Sequence, residues 1–199
     1  MMDSSFAYYL FYKPFQVLSQ FSPEDDKKTL ADFLKDIPKD VYPVGRLDYD
    51  SEGLLFLTND KAVNHRLLDP KFSHEREYWS QVEGTATEEN LQKLRSGVII
   101  SSKGKSFRTL PAKAELLNDI QAPERNPPIR FRKDIPTSWI SLTIQEGKNR
   151  QVRKMTAAVG LPTLRLLRYR IGQITLKEMN PGEIKKLSID DVQKFFMKK

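Results

Sequence analysis

The stretch Val44-Gly45-Arg46-Leu47-Asp48-Tyr49-Asp50-Ser51-Glu52-Gly53-Leu54-Leu55-Phe56-Leu57-Thr58-Asn59-Asp60 decides how this chain is built. An apolar entry through Val41, Tyr42 and Val44 meets a glycine turn, one basic residue beside three acids, and a second glycine. The continuous apolar run that follows is expected to be a buried strand. Gly45 and Gly53 allow a tight turn and a close backbone approach, so Asp48 is displayed on a turn rather than on a helix face. Two readings fit these residues alone. One is a turn closed by an ordinary Arg/Asp ion pair, and the other is a carboxylate presented for chemistry.

Working outward, Tyr8 to Tyr12 is an aromatic strand candidate that stops at Lys13-Pro14, and extended structure resumes over Gln16 to Ser19. Ser22 to Lys28 reads as a loop. Leu30, Phe33, Leu34 and Ile37 have helical spacing and predict a helix up to Pro38. Asn59-Asp60 can cap a short helix from Lys61 to Leu68, with Ala62, Leu67 and Leu68 as its inner residues. The alternation of Arg76 to Val82 places Tyr78, Ser80 and Val82 on one face of a strand. Thr87 is an N-cap for a helix through Leu91, Leu94 and Arg95, stopped by Gly97.

Val98 to Ile100 returns as a strand, Lys103-Gly104-Lys105 as a hairpin turn, and Pro111 to Leu117 as a further strand. Four of the twelve prolines fall between Gln121 and Pro136, which has no clean period and reads as a loop or insertion. Ser138 to Ile144 alternates strongly and predicts a strand. Gln151 to Val159 reads as a helix stopped by Gly160. Thr163 to Arg168 and Ile174 to Leu176 are strands, and Ser188 with Asp191 can box the start of a C-terminal helix through Val192, Phe195 and Phe196. The fold class expected is α+β with a mixed or mainly antiparallel sheet.

At 199 residues the chain can form one domain or two small ones without covalent staples. It has no cysteine, which excludes disulfides, thiolate metal sites and thiol nucleophiles. The longest wholly apolar run, Phe6 to Tyr12, is far below the roughly 20 residues of a spanning helix. A soluble, cytoplasmic protein is expected. The net charge of +7 is unevenly spread, because Gln121 to Arg170 holds eleven Lys/Arg against three Asp/Glu while the remainder is close to neutral. A basic surface so concentrated points to a polyanion, and nucleic acid is the one expected.

Two histidines are too few for a metal cluster, and no phosphate loop or dinucleotide fingerprint is present. What remains is carboxylate chemistry at Asp48, Asp50 or Glu52, arginine chemistry at Arg150 and Arg153, and aromatic surfaces at Tyr78 and Trp79. A nearby arginine would hold an aspartate ionised and hence nucleophilic. On the helix from Gln151, the side chains of Arg150, Arg153 and Lys154 share one polar face while Val152, Met155 and Val159 point inward. These residues alone leave open an enzyme, a non-catalytic RNA-binding protein, and a glycoside hydrolase pairing Asp48 with a second carboxyl.

Four stretches in this order, Tyr12-Lys13-Pro14, GRLDYDSEGLLFLTND from Gly45, EREYWSQVEG from Glu75, and EGKNRQVRKM from Glu146 followed by LRLLRYRIG from Leu164, resemble the pseudouridine synthases of the RsuA/RluB/RluE/RluF type. The resemblance spans roughly Tyr8 to Ile184 and implies a catalytic sheet in two subdomains flanking a cleft, with a boundary near Lys71. It implies that Asp48 is the catalytic aspartate, that Tyr78 stacks on the target base, and that Arg153 pairs with the aspartate beside the apolar Val152. Arg46 matches the residue that takes the place of a flipped base. The reaction implied is isomerisation of uridine to pseudouridine in large-subunit (23S) ribosomal RNA, by a monomer, with no cofactor, metal or membrane. Whether Asp48 attacks the ribose, attacks the pyrimidine or acts as a base is left open.

Many such synthases carry a small RNA-binding domain ahead of the Lys-Pro stretch. This chain begins almost directly with it, so residues 1–199 are expected to be a single catalytic domain. Its own basic stretches, Arg125 to Lys133, Lys148 to Lys154 and Arg165 to Arg170, are then expected to hold the RNA. The individual RNA contacts expected are Lys13, Arg46, Lys148, Arg150, Lys154, Arg165 and Arg168.

Overall fold

A computed structural model describes residues 6–102, 104–129, 132 and 134–194. Lys103 of the expected hairpin turn, Arg130 and Lys133 of the basic stretch, and Phe195 and Phe196 of the expected last helix lie outside these. In chain order the strands begin with β1 (Tyr8–Lys13), β2 (Val17–Leu18), β3 (Lys28–Thr29), β4 (Tyr42–Pro43) and β5 (Glu52–Thr58), followed by helix α1 (Lys61–Leu68). Next come β6 (Arg76–Glu83), α2 (Glu88–Arg95), β7 (Ile99–Ser102), β8 (Lys105–Arg108), β9 (Lys113–Leu116) and β10 (Thr137–Ile144). The chain continues with α3 (Gln151–Ala158), β11 (Thr163–Ile171), β12 (Ile174–Thr175), β13 (Ile184–Lys186) and α4 (Ile189–Lys194). It divides into two compact units, one made of residues 1–74 and 168–199, the other of residues 75–167.

In the first unit β5 is the central strand. Every residue of it is buried, because both faces are covered. β1 runs antiparallel along it from Tyr8 opposite Thr58 to Lys13 opposite Gly53, and β4 and the Arg168–Ile171 part of β11 also pair within this unit's sheet. Leu55 and Leu57 point into a cluster with Phe11, Leu30, Leu34 and Val41. On the other face Phe56 stacks on Tyr8 with ring centroids 6.4 Å apart.

Two expectations about this unit are corrected. The helix expected over Leu30 to Ile37 is one 3-10 turn, Leu30–Asp32, boxed by Thr29 and Asp32. The apolar residues still turn inward, but Pro38 excludes the α conformation at Ile37 and the chain leaves as a loop. In α1 the inner residues are Val63 and Leu67, one turn apart, while Ala62 is exposed and Leu68 is 44 % exposed. Asp60 caps the helix by accepting from the Ala62 and Val63 amides. A strand with no sequence signal, β13, pairs antiparallel with β1.

The second unit is built on β6 and β10, antiparallel over eight residues with Tyr78 opposite Leu142, and on β9 along the other edge of β10. Its core holds Val82, Leu94, Ile140, Leu142 and Met155, with Tyr78 packed against it. α2 has Thr87 as N-cap with Asn90 completing the box, and β7 and β8 form a separate hairpin. The mostly antiparallel α+β architecture is the one expected. No helix among the described residues is long and apolar enough to cross a membrane.

Candidate active site

In the first unit the segment Arg46-Leu47-Asp48 runs between two glycines with positive φ, +72° at Gly45 and +108° at Gly53. Leu47 is buried, which pins the segment, while Arg46 is exposed and Asp48 half-buried. The Ser19 hydroxyl donates to the Leu47 carbonyl at 2.8 Å and accepts from the Leu47 amide at 3.1 Å. The Ser51 amide donates to the Asp48 carbonyl and the Gln16 amide to the Tyr49 carbonyl, at 3.0 and 2.9 Å. Successive peptide groups around Asp48 are thus held by the protein's own bonds.

Behind the turn lie charges that the sequence reading placed at the surface. Lys13 is fully buried, and its ammonium donates to the Val17 carbonyl at 2.6 Å and the Pro14 carbonyl at 3.0 Å. Burial lowers its pKa from 10.5 to about 7; Glu52, Asp50 and Asp48 oppose that shift, and Arg168 adds to it. Arg168 is 5 % exposed and donates from Nε to the Leu54 carbonyl at 2.7 Å. Lys13 and Arg168 therefore serve the fold of the Asp48 turn and are not surface phosphate contacts, which corrects that expectation. The hydrogen bonds to main-chain carbonyls that draw both side chains inward leave no mark in composition or periodicity. Glu52 is likewise buried.

In the second unit α3 begins at Arg150, an exposed residue in the left-handed conformation with φ +52°. The entry is built by Gln151, whose side chain accepts from the Lys148 amide at 2.9 Å and donates to Glu146 at 2.6 Å. Lys148 is exposed, with its ammonium over the Phe107 ring and 3.4 Å from Glu146. Val152 faces the core, whereas Arg153 and Lys154 are half-buried. The Arg153 guanidinium donates to the Thr163 carbonyl at 3.3 Å. The Thr156 and Thr163 hydroxyls share a 2.7 Å bond, and Thr163 a further 3.1 Å bond with Ser80, two residues along β6 from Tyr78. Arg165 is 5 % exposed with its guanidinium 5.8 Å from the Trp139 ring centroid, so it too is a packed residue rather than the phosphate contact expected.

Within each unit the expected residues are thus sorted. Asp48 gathers with Lys13 and Arg168, and Arg46 lies on the same loop. Tyr78, Val152 and Arg153 share the framework of β6, α3 and β11. The sequence reading treats Ser19 only as the end of an extended segment and misses its hold on Leu47. Among the described residues no group of three or more His, Cys, Asp or Glu could hold a metal ion.

Residues 7–158 match the profile of a family described as RNA pseudouridylate synthase. The chain is 52 % identical over 180 residues to a protein named ribosomal large subunit pseudouridine synthase E from Vibrio vulnificus (strain CMCP6), covering 90 % of this chain and 74 % of that one. A protein of the same name from Xanthomonas axonopodis pv. citri (strain 306) is 51 % identical over 177 residues, covering 86 % and 89 %. A crystal structure of a pseudouridylate synthase superposes with a TM-score of 0.79 at 28 % identity, covering 98 % of this chain and 76 % of that one.

Proposed function

Because the chain belongs to the RNA pseudouridylate synthase family, we propose that it isomerises a specific uridine to pseudouridine in large-subunit ribosomal RNA. The names of its relatives support that substrate. The observation that carries the site assignment is the half-buried Asp48 side chain on a turn whose flanking peptides are all bonded. A carboxylate held in this way meets the geometric demand of catalysis before substrate arrives.

The reaction balances within the nucleotide. The bond from N1 to the ribose C1′ breaks, the base turns, C5 bonds to C1′, and the proton leaving C5 is matched by one gained at N1. No oxidant or reductant is required. Asp48 supplies the nucleophilic carboxylate, Arg153 a catalytic cation, and Tyr78 with Val152 the surface against the base. A stacked base is typically worth about 1 to 3 kcal/mol. The uridine must leave its stack to be reached, and Arg46, exposed two residues before Asp48, takes the space it vacates. Lys148, Arg150 and Lys154 contact phosphates. The protein acts as a monomer in the cytoplasm.

The test is Asp48→Asn, which keeps the shape of the side chain and removes the negative charge. Pseudouridine formation on a large-subunit RNA transcript, read by nucleoside chromatography, is expected to vanish while RNA binding persists. Product from the purified variant at the wild-type rate would overturn the assignment.

A further inference from the structure

The bond between Ser19 and Leu47 spans 28 residues of sequence and is buried. One hydroxyl serves both polar groups of Leu47: it receives the amide proton and gives its own to the carbonyl. The first bond fixes the peptide between Arg46 and Leu47, and the second fixes the peptide whose nitrogen belongs to Asp48. With the Ser51 amide on the Asp48 carbonyl and the Gln16 amide on the Tyr49 carbonyl, the backbone torsions on both sides of Asp48 are determined from outside the turn.

Ser19 is itself anchored. It is 6 % exposed, and it follows β2, which pairs with β3 through Val17 with Lys28 and Leu18 with Thr29. The start of the same turn is closed by the Lys13 ammonium on the Val17 carbonyl. The Gln20 carbonyl, one residue on, accepts from the Leu30 amide at 2.9 Å. The hydroxyl is thus carried by a braced loop, and Leu47 by a loop whose neighbouring members, the exposed Arg46 and the half-buried Asp48, are those the proposed reaction uses. A buried hydroxyl matched to both groups of one residue cannot be replaced by water without moving one of the two loops.

We propose that Ser19 is a positioning residue for Asp48, acting through the two bonds to Leu47 to hold the carboxylate in its productive place. This rests on the isomerase reading above. Its effect belongs on the chemical step, since Ser19 touches neither the base nor a phosphate of the substrate in that reading. An ordinary structural role would instead lower melting temperature and leave the turnover of the folded fraction alone.

The experiment compares Ser19→Ala, Ser19→Thr and Thr87→Ala, the last removing a helix cap in the other unit as a control for general loss of stability. All are assayed on a large-subunit RNA transcript below their melting temperatures. Ser19→Ala is expected to lose about 10- to 100-fold in kcat with KM unchanged within about twofold, because small misplacements of a reacting group have effects of this size. Ser19→Thr, which keeps the hydroxyl, recovers most of the turnover, and Thr87→Ala keeps wild-type kcat. Should Ser19→Ala fail to fold, Ser19→Cys, of similar volume and with a weak donor, takes its place. Wild-type kcat in the hydroxyl-less variant, a defect confined to KM, or an equal kcat loss in Thr87→Ala overturns the assignment. Failure of the wild-type protein to make pseudouridine at all overturns the isomerase reading instead.

Discussion

A β-carbon added to Gly53 would stand 2.4 Å from the Arg168 carbonyl oxygen and 2.7 Å from its nitrogen, so β5 leaves the Asp48 turn with room for hydrogen alone at that position. Gly53 also has φ +108°, outside the region that side chains tolerate. Gly53→Ala is expected to destabilise the chain by about 2 to 5 kcal/mol, from strain and overpacking together. Urea unfolding measures this. Gly104 provides the contrast, since its φ is +75° with nothing within 4 Å of an added β-carbon, and Gly104→Asn should cost less than about 1 kcal/mol. Equal effects at the two glycines would show that the close approach to Arg168 does not matter.

The buried ammonium of Lys13 gives stability a pH dependence. Its pKa is about 7 in the folded chain against 10.5 ordinarily, so between those values the unfolded chain holds more protons and stability rises with pH. Below the folded value the full cost of burying the charge is present. Wild-type unfolding free energy should therefore climb, relative to Lys13→Met, by up to about 1.4 kcal/mol per pH unit across that window. Parallel pH profiles of the two proteins in denaturant titrations would refute it.

Arg150 separates RNA affinity from stability. It is exposed and holds a left-handed backbone conformation at the start of α3, a cost of roughly 1 kcal/mol that glycine does not bear. Arg150→Gly is expected to leave the melting temperature unchanged or raised. RNA binding should weaken, and the slope of log affinity against log salt should fall by about 0.7 to 1, as for one lost phosphate contact. An unchanged salt slope would remove Arg150 from the RNA-binding surface.

Where a residue's surroundings are encoded by its near neighbours, sequence reading reached the structure. The alternation of β10, the glycine-bounded Asp48 turn, the caps at Asp60 and Thr87 and the start of α3 are all local patterns, and all are present. It failed where distant partners decide. β13 is three residues with two exposed lysines, and only the free edge of β1 makes a strand of them. Lys13, Arg165 and Arg168 look like surface cations because charge is written in the sequence, whereas the carbonyls and the Trp139 ring that receive them come from elsewhere in the fold. Ser19 escaped notice for the same reason.

The order in which the chain is synthesised meets an obstacle in β13. The unit that carries Asp48 is assembled from the first 74 residues and the last 32, and β1 lacks its outer neighbour until Ile184 to Lys186 emerges. Through most of translation the nascent chain thus exposes an apolar strand with one unpaired edge, a template for association with other chains. Residues 75–167, by contrast, are contiguous and can complete their own core before β13 has been made. Maturation of the framework behind the Asp48 turn is therefore a late event, timed by the appearance of a strand that follows the whole second unit in sequence.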